Sequence, residues 1–469
     1  MKFHDIRFGS SRGRGLSKLV RSRLRLVSAA ATATPRRALR GATMLVNVCV
    51  RSAMVVTLAS ASLAGPARSQ ENALGGTVQS LLDFARAQSP ELAAMRQEAD
   101  AAVQRMGSAG ALADPVLRVE LMNINNYGSD APASLLPSKV GETEYRLMQP
   151  LPAWGKRDLR REVAAADAEQ ARARVGAGWA ELAARIKITY AELYRTAGNE
   201  RLTREVLDLM SRLEQIAQAR YAGGLVAQQD AIRAQLEQTA MRSELISLEN
   251  EKRQLRSRMN ALLARNVADP LADPQVLRPV PNLAASDAAL LAARARASNP
   301  QLQAEQARVA SAQKSRDLTL SNRYPDWLVG LQTTQVGSRL TTFGLMVEMN
   351  IPLQQGARRA QEREAESMVG AARSRAEALS NQLLGELAGN LAVFESARRT
   401  EVLVETQLLP QSDLSLRSAL AAYENGKVDF ATLLDAQRQI RKAQMDRLKA
   451  QVEAQMRLAE IERIVGEDL

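Results

Sequence analysis

Tyr221-Ala222-Gly223-Gly224-Leu225-Val226 returns about two hundred residues later as Tyr423-Glu424-Asn425-Gly426-Lys427-Val428. Each run puts glycine where a helix must stop and reverse, because glycine takes the left-handed backbone without steric cost. The two runs stay in register past the turn, to Ala234-Gln235 and Ala436-Gln437. Other landmarks repeat in the same order. Ser89-Pro90-Glu91-Leu92 matches Asn299-Pro300-Gln301-Leu302, and Asp114-Pro115 matches Pro325-Asp326. Leu151-Pro152 before Gly155-Lys156-Arg157 matches Ile351-Pro352 before Gly356-Ala357-Arg358-Arg359. One unit is therefore written twice. Its copies are expected at 70–265 and 287–469, joined by a linker at 266–286 that carries Pro270, Pro274, Pro279 and Pro281.

Each copy has the same plan: a helix (77–111, then 287–321), two extended runs, a very long helix, a tight turn and a second long helix. The first long helix is expected over 156–221, roughly 100 Å at 1.5 Å per residue. Trp179, Leu182, Ala183, Ile186, Tyr190, Leu193, Tyr194 and Ala197 fall on one face of it. Its partner carries a heptad-like seam of Met241, Leu245, Leu248, Leu255, Met259 and Leu262, broken at Lys252. The fold class is mainly α with a small β part, and such stripes must pack side by side into a bundle or barrel.

The extended runs alternate. Over 341–351, Phe343, Leu345, Val347, Met349 and Ile351 oppose Thr342, Gly344, Met346, Glu348 and Asn350. Run 143–149 sets Tyr145 and Leu147 against Glu144 and Arg146, and run 116–124 sets Leu117, Val119 and Leu121 against Arg118 and Glu120. Run 327–336 is weaker, with Trp327, Val329 and Leu331 on one side. A membrane barrel wall gives this pattern, and so does a soluble sheet with one dry face. Four strands cannot close a barrel alone, so a membrane barrel would need strands from further copies of the chain.

Composition narrows the function. The 469 residues are 46% hydrophobic and 24% charged, with only 3% aromatics, a long-helix balance. The net charge of +12 sits in the leader: residues 1–69 hold thirteen Lys and Arg against Asp5 alone. The neutral body has no electrostatic footprint for nucleic acid. The only Cys and the only His, Cys49 and His4, also lie in the leader, which removes disulfides, ordinary zinc sites, a catalytic Cys and a Ser-His-Asp triad from the body. No phosphate loop, nucleophile elbow or dinucleotide fingerprint is present, so no catalytic, cofactor-binding or metal residue is assigned. Residues 53–64 form a short apolar run after Arg51, ending in Gly65-Pro66-Ala67-Arg68-Ser69. That is a secretory signal peptide, with cleavage expected after Ser69 and with Ala61 and Ala64 as further candidate positions. Met44 and Met54 are candidate starts, which would make 1–43 a misassigned extension. Val46-Asn47-Val48 before Cys49 lacks the small residue a lipidation signal needs.

Plan, duplication and motifs together resemble the TolC-like outer-membrane factors, the exit ducts of tripartite efflux pumps and type I secretion systems. The two glycine turns, followed by Asp230 and by Leu434-Asp435-Ala436-Gln437, look like that family's helix-hairpin tips. Asp114-Pro115 with its following strand, and Gln149-Pro150-Leu151-Pro152-Ala153-Trp154-Gly155-Lys156-Arg157, look most like its heavy-metal cation branch, the CzcC/CusC type. The resemblance implies a homotrimer, each copy giving four strands to a twelve-stranded barrel in the outer membrane, with an α-barrel continuing into the periplasm. It implies a periplasmic adaptor and an inner-membrane pump of RND type as partners, no cofactor, and passive conduction. Gly224, Leu225, Val226, Gly426, Lys427 and Val428 would meet the adaptor, although plain turn chemistry explains the glycines equally well. Asp435 would form a gate or selectivity ring, weakened here because Thr432 stands where members can carry a second acid. Asp230 would latch the closed mouth, and Glu120, Glu144, Arg146 and Glu348 would line the barrel lumen. Asp435 and Asp230 each also fit a plain solvated surface carboxylate. A multidrug or type I secretion duct of the same family fits the same motifs. From another class, a periplasmic adaptor or coiled-coil scaffold shares the long helical hairpins and the signal peptide, but it predicts neither the duplication nor the paired alternating runs.

Overall fold

The computed structural model describes residues 74–124, 133–281 and 288–469. The leader lies outside them, and with it the signal peptide, the candidate starts and Cys49. The described chain runs α1 (Val78–Gln88), α2 (Pro90–Ala109), β1 (Val116–Met122), β2 (Glu142–Leu151), α3 (Lys156–Ala222) and α4 (Gln228–Leu262). The plan then repeats as α5 (Ala288–Ser298), α6 (Pro300–Ser321), β3 (Trp327–Val336), β4 (Arg339–Met349), α7 (Gln355–Leu403), a π-turn (Val404–Leu408), α8 (Leu409–Glu424) and α9 (Phe430–Val465).

Two expectations change. The opening helix of each copy is two helices, broken at Ser89 and at Asn299. Both breaks have the same cause. Ser89 Oγ accepts from the Leu92 N–H at 3.3 Å and Asn299 Oδ1 from the Leu302 N–H at 2.8 Å, with proline at the first helical position. A side-chain cap followed by proline starts a helix and ends the one before it. The second copy's long helix, unlike α3, is interrupted. Pro410 has no N–H for the preceding turn and its ring crowds that turn's carbonyl. The chain answers with the π-turn at 404–408.

The seam gap at Lys252 also finds its reason. Lys252 is largely buried, and its ammonium bonds Glu200 of α3 and Asp273 of the linker, each at 2.8 Å. Arg278 grips Glu462 of α9 through two bonds of 3.0 Å, and Lys187 bonds the same carboxylate at 2.7 Å. The described part of the linker is thus fastened to both copies by charges that are themselves paired, the condition for burying them.

The strands form one antiparallel sheet in the order β1-β2-β3-β4, so the central pair, β2 with β3, joins the two copies. Gly337-Ser338 turns β3 tightly into β4, with Gly337 at φ 62°. The alternation in sequence becomes two faces. Leu117, Leu331, Phe343 and Leu345 are between 63 and 77% exposed, all on one face, and among the described residues nothing covers them. The other face carries Arg118, Glu120, Glu144 and Arg146. Among the described residues no helix is long and apolar enough to cross a membrane.

Candidate functional site

The two hairpin tips reverse by one hydrogen-bond scheme. At the first, the Leu225 N–H donates to the Arg220 carbonyl and the Gly224 N–H to that of Tyr221, both at 2.9 Å. At the second, Lys427 donates to Ala422 at 2.8 Å and Gly426 to Tyr423 at 3.0 Å. Gly224 and Gly426 sit at φ 69° and 68°. These bonds satisfy carbonyls that a helix end otherwise leaves orphaned. Leu225 and Lys427 point into solvent, while Val226 and Val428 are half-buried.

The side chains around the turns differ. Tyr221 is 47% exposed, but Tyr423 is 1% exposed and meets the Phe430 ring edge-on, centroids 5.5 Å apart. Arg220, at the first tip, places its guanidinium 5.0 Å from the centre of the Tyr423 ring and donates to the Tyr423 and Glu424 carbonyls. A cation from one hairpin thereby caps the last turn of the other, where the helix dipole favours positive charge. Asp230, in the first turn of α4, is pushed up from the ordinary carboxylate range by burial. Arg233 opposes this, Asp429 adds to it and Arg220 opposes it. The Tyr423 hydroxyl is raised by burial and by Asp230, and it is buried without a hydrogen-bond partner among the described residues. Among the described residues the Asp230 side chain makes no hydrogen bond or ion pair.

Asp429 caps α9, accepting from the Thr432 N–H at 3.0 Å and from its hydroxyl at 2.5 Å, and those bonds hold it below the usual carboxylate range. Thr432 is therefore the capping partner of Asp429. Asp435, one turn on, is exposed and lies 3.7 Å from Arg438, which also bonds Glu237 of α4. On the polar sheet face, Arg146 bonds both oxygens of Glu144 and lies 3.5 Å from Glu120. The structure brings these three together and buries Glu144. Glu348 is apart from them, six residues along β4 from Thr342 in the row of Glu120 and Glu144, or about 20 Å, and four from Gly344 in the row of Arg146, or about 13 Å. Among the described residues no cluster of His, Cys, Asp and Glu could hold a metal ion.

The sequence matches the outer membrane efflux protein family over residues 81–265 and 291–467, well over half the chain. The chain belongs to the outer membrane efflux protein family. Solved structures agree on the fold. The outer-membrane channel OprN superposes with a TM-score of 0.69 at 18% identity, over 83% of this chain and 89% of that one. The outer membrane protein VceC from Vibrio cholerae gives 0.69 at 17%, over 83% and 96%. CusC, described by its formation of a transmembrane channel, gives 0.69 at 16%, over 83% and 92%. No curated protein sequence matches the chain.

Membership in the efflux family makes this a transport protein and not an enzyme, and it sets aside the periplasmic-adaptor reading. Within this efflux protein, three residues at the tip escaped sequence reasoning. Phe430 is fully buried, Asp429 is a cap, and Arg220 joins the two hairpins. Asp429 was legible, since Asp directly before an apolar-periodic run such as Phe430, Leu433 and Leu434 is a helix-start signal. Arg220 had no local signal, because its partners lie about 200 residues away.

Proposed function

We propose that the chain is the outer-membrane exit duct of a tripartite efflux system of RND type, a passive conduit for heavy-metal cations. The observation that supports the duct is the apolar face, uncovered among the described residues, of a four-stranded sheet whose outer strands, β1 and β4, each keep one edge unpaired among those residues. An apolar face wants lipid, and open edges want further strands. Three copies pairing β4 of one with β1 of the next satisfy both and close twelve strands. Their long helices then continue as an α-barrel in the periplasm, ending at Leu225, Val226, Lys427 and Val428, where an adaptor docks. The two copies of the chain's plan, 70–265 and 287–469, each supply one hairpin to that mouth.

The cation cargo draws on the likeness of Asp114-Pro115 and Gln149–Arg157 to the metal branch and on the fold shared with CusC. Asp435 supplies the carboxylate of a threefold ring, and Arg438 beside it offsets part of that charge. Such a ring biases passage without binding cargo, and selection rests with the pump. The test is a strain lacking the gene, challenged with Co, Zn, Cd, Ni, Cu and Ag salts beside dyes, detergents and antibiotics. Selective loss of metal tolerance, restored by the wild type but not by Gly224→Asp, is the expected result. Loss of drug tolerance alone would keep the duct and reassign it to a multidrug pump. Recovery of the chain as a soluble monomer would sink the duct itself.

A further inference from the structure

A cleft of about 560 Å³ lies where the sheet gives way to helices, and neither the tips nor the Glu120–Glu144–Arg146 group uses it. The buried Lys156 ammonium lies within it, bonded to Asp326 at 2.9 Å. Arg358 forms part of its wall and donates one Nη to the Asn322 carbonyl. Tyr324, Ile351 and Leu353 line it too, and are 65, 60 and 81% exposed. β4 ends at Met349, and the exposed Ile351 and Leu353 follow it in a tight turn, the Leu353 N–H donating to the Ile351 carbonyl at 3.0 Å, so apolar side chains lie between the end of the strand and the cleft. Trp154, at the matching junction of the first copy, is fully exposed as well.

The charge at this level is unbalanced. Arg157 and Arg358 stand in the first turns of α3 and α7, with Arg160 and Arg359 just beyond; among the described residues none has a carboxylate within ion-pair range, although Asp326 and Glu362 act on Arg160 and Arg359 from farther off and Asp158, paired with Arg161, shares the first turn of α3. Arginine in a first turn also opposes the helix dipole, a cost that a nearby anion removes. An apolar face ending in a border where cations outnumber carboxylates has the two-part polarity of a phospholipid.

We propose that this cleft takes the headgroup phosphate of an anionic membrane phospholipid whose acyl chains lie along the exposed face of β3 and β4. The inference rests on the membrane-barrel reading of the sheet. A choline headgroup would bring its own cation into the arginine field, while a glycerol headgroup would not, so phosphatidylglycerol is the lipid favoured.

The test uses the full mature chain, extracted from membranes and titrated in neutral detergent with phosphatidylglycerol, phosphatidylcholine or inorganic phosphate. Phosphatidylglycerol should raise the unfolding midpoint by about 2–4 °C more than phosphatidylcholine, and phosphate alone should not. Arg358→Gln with Arg359→Gln should lose at least half of that difference, while the remote Arg417→Gln keeps it. Arg359→Gln alone, at an exposed position, serves if the double variant fails to assemble, and it should lose part of the difference. Equal response to both lipids, full retention by the variants, or reproduction by phosphate alone would overturn the proposal. Heat-modifiable trimer in the outer-membrane fraction is scored on the same samples. Its absence sinks the barrel reading, whereas a trimer blind to headgroup sinks only the lipid site.

Discussion

The two tips have the same backbone and opposite surroundings. Their hydrogen bonds and glycine torsions coincide residue for residue, yet Tyr221 is open where Tyr423 is sealed, and Gln228 is exposed where Phe430 is fully buried. Reversal and packing are thus specified separately. Glycine at the left-handed position turns the chain, and a few side chains decide which hairpin is held against the other. The first tip offers Arg220 to the second and, among the described residues, receives no such cap in return.

The largest test of this asymmetry is Phe430→Ala against Gln228→Ala. The first should cost about 3–5 kcal/mol as a fully buried aromatic, and the second should stay within about 0.5 kcal/mol. Unfolding at fixed protein concentration measures both, and similar losses would erase the distinction. Next comes alanine at each glycine. Either change forces a left-handed alanine, at about 1–2 kcal/mol. Gly426→Ala should cost more, because its new Cβ meets Arg220 Nη2 at 3.3 Å while that at Gly224 meets nothing within 4 Å. Arg220→Gln should cost about 1 kcal/mol, and hydrogen exchange should quicken at the end of α8 while the first turn stays unchanged. If protection falls equally at both tips, Arg220 is not the asymmetric clamp.

The smallest effect is a pH response of opposite sign at the two tips. The folded value of Asp230 lies above its unfolded one, so its charge penalises the fold at neutral pH and the penalty fades as pH falls through the raised value. Asp230→Asn should stabilise the protein at neutral pH. Asp429 is held below its unfolded value, so its capping contribution is present above the ordinary carboxylate range and is lost as pH falls through the lowered value. Asp429→Asn should flatten the acid side of the profile. Midpoints measured across that range for the two variants separate the effects, and a shared direction would contradict them.

Local patterns carried much of this fold. Period-two alternation located β3 and β4, and the glycine turns located both tips, because each signal needs only neighbours in sequence. The breaks at Ser89 and Asn299 are equally local, a capping side chain before proline, although helical periodicity runs through both. Other features had no local sign. Matching motifs around Tyr221 and Tyr423 say nothing about which tyrosine is covered, since that depends on Arg220 and on the packing of α8 against α9. The burial of Glu144 depends on Arg146 beside it and on the segment before β2, where Val140 is buried and the Pro137 carbonyl accepts from Thr143.

The π-turn settles a matter of counting. Ile186, Leu193, Thr196, Glu200 and Thr203, buried in α3, match Leu387, Phe394, Ala397, Glu401 and Val404 at an offset of 201. Beyond the π-turn, Met210 and Ala217 match Ser412 and Ala419 at 202, as Gly224 does Gly426. The second copy therefore carries one extra residue between Val404 and Ser412. In an uninterrupted helix that eight-residue step would overshoot two turns by about a fifth of a turn and swing the tip off its neighbours. The wider π-turn absorbs the surplus. Deleting Thr406 should accordingly leave the second tip facing as it does, while deleting one residue from the matching stretch of α3 would rotate the first tip by about 100°. The two arms diverged in length and kept their phase.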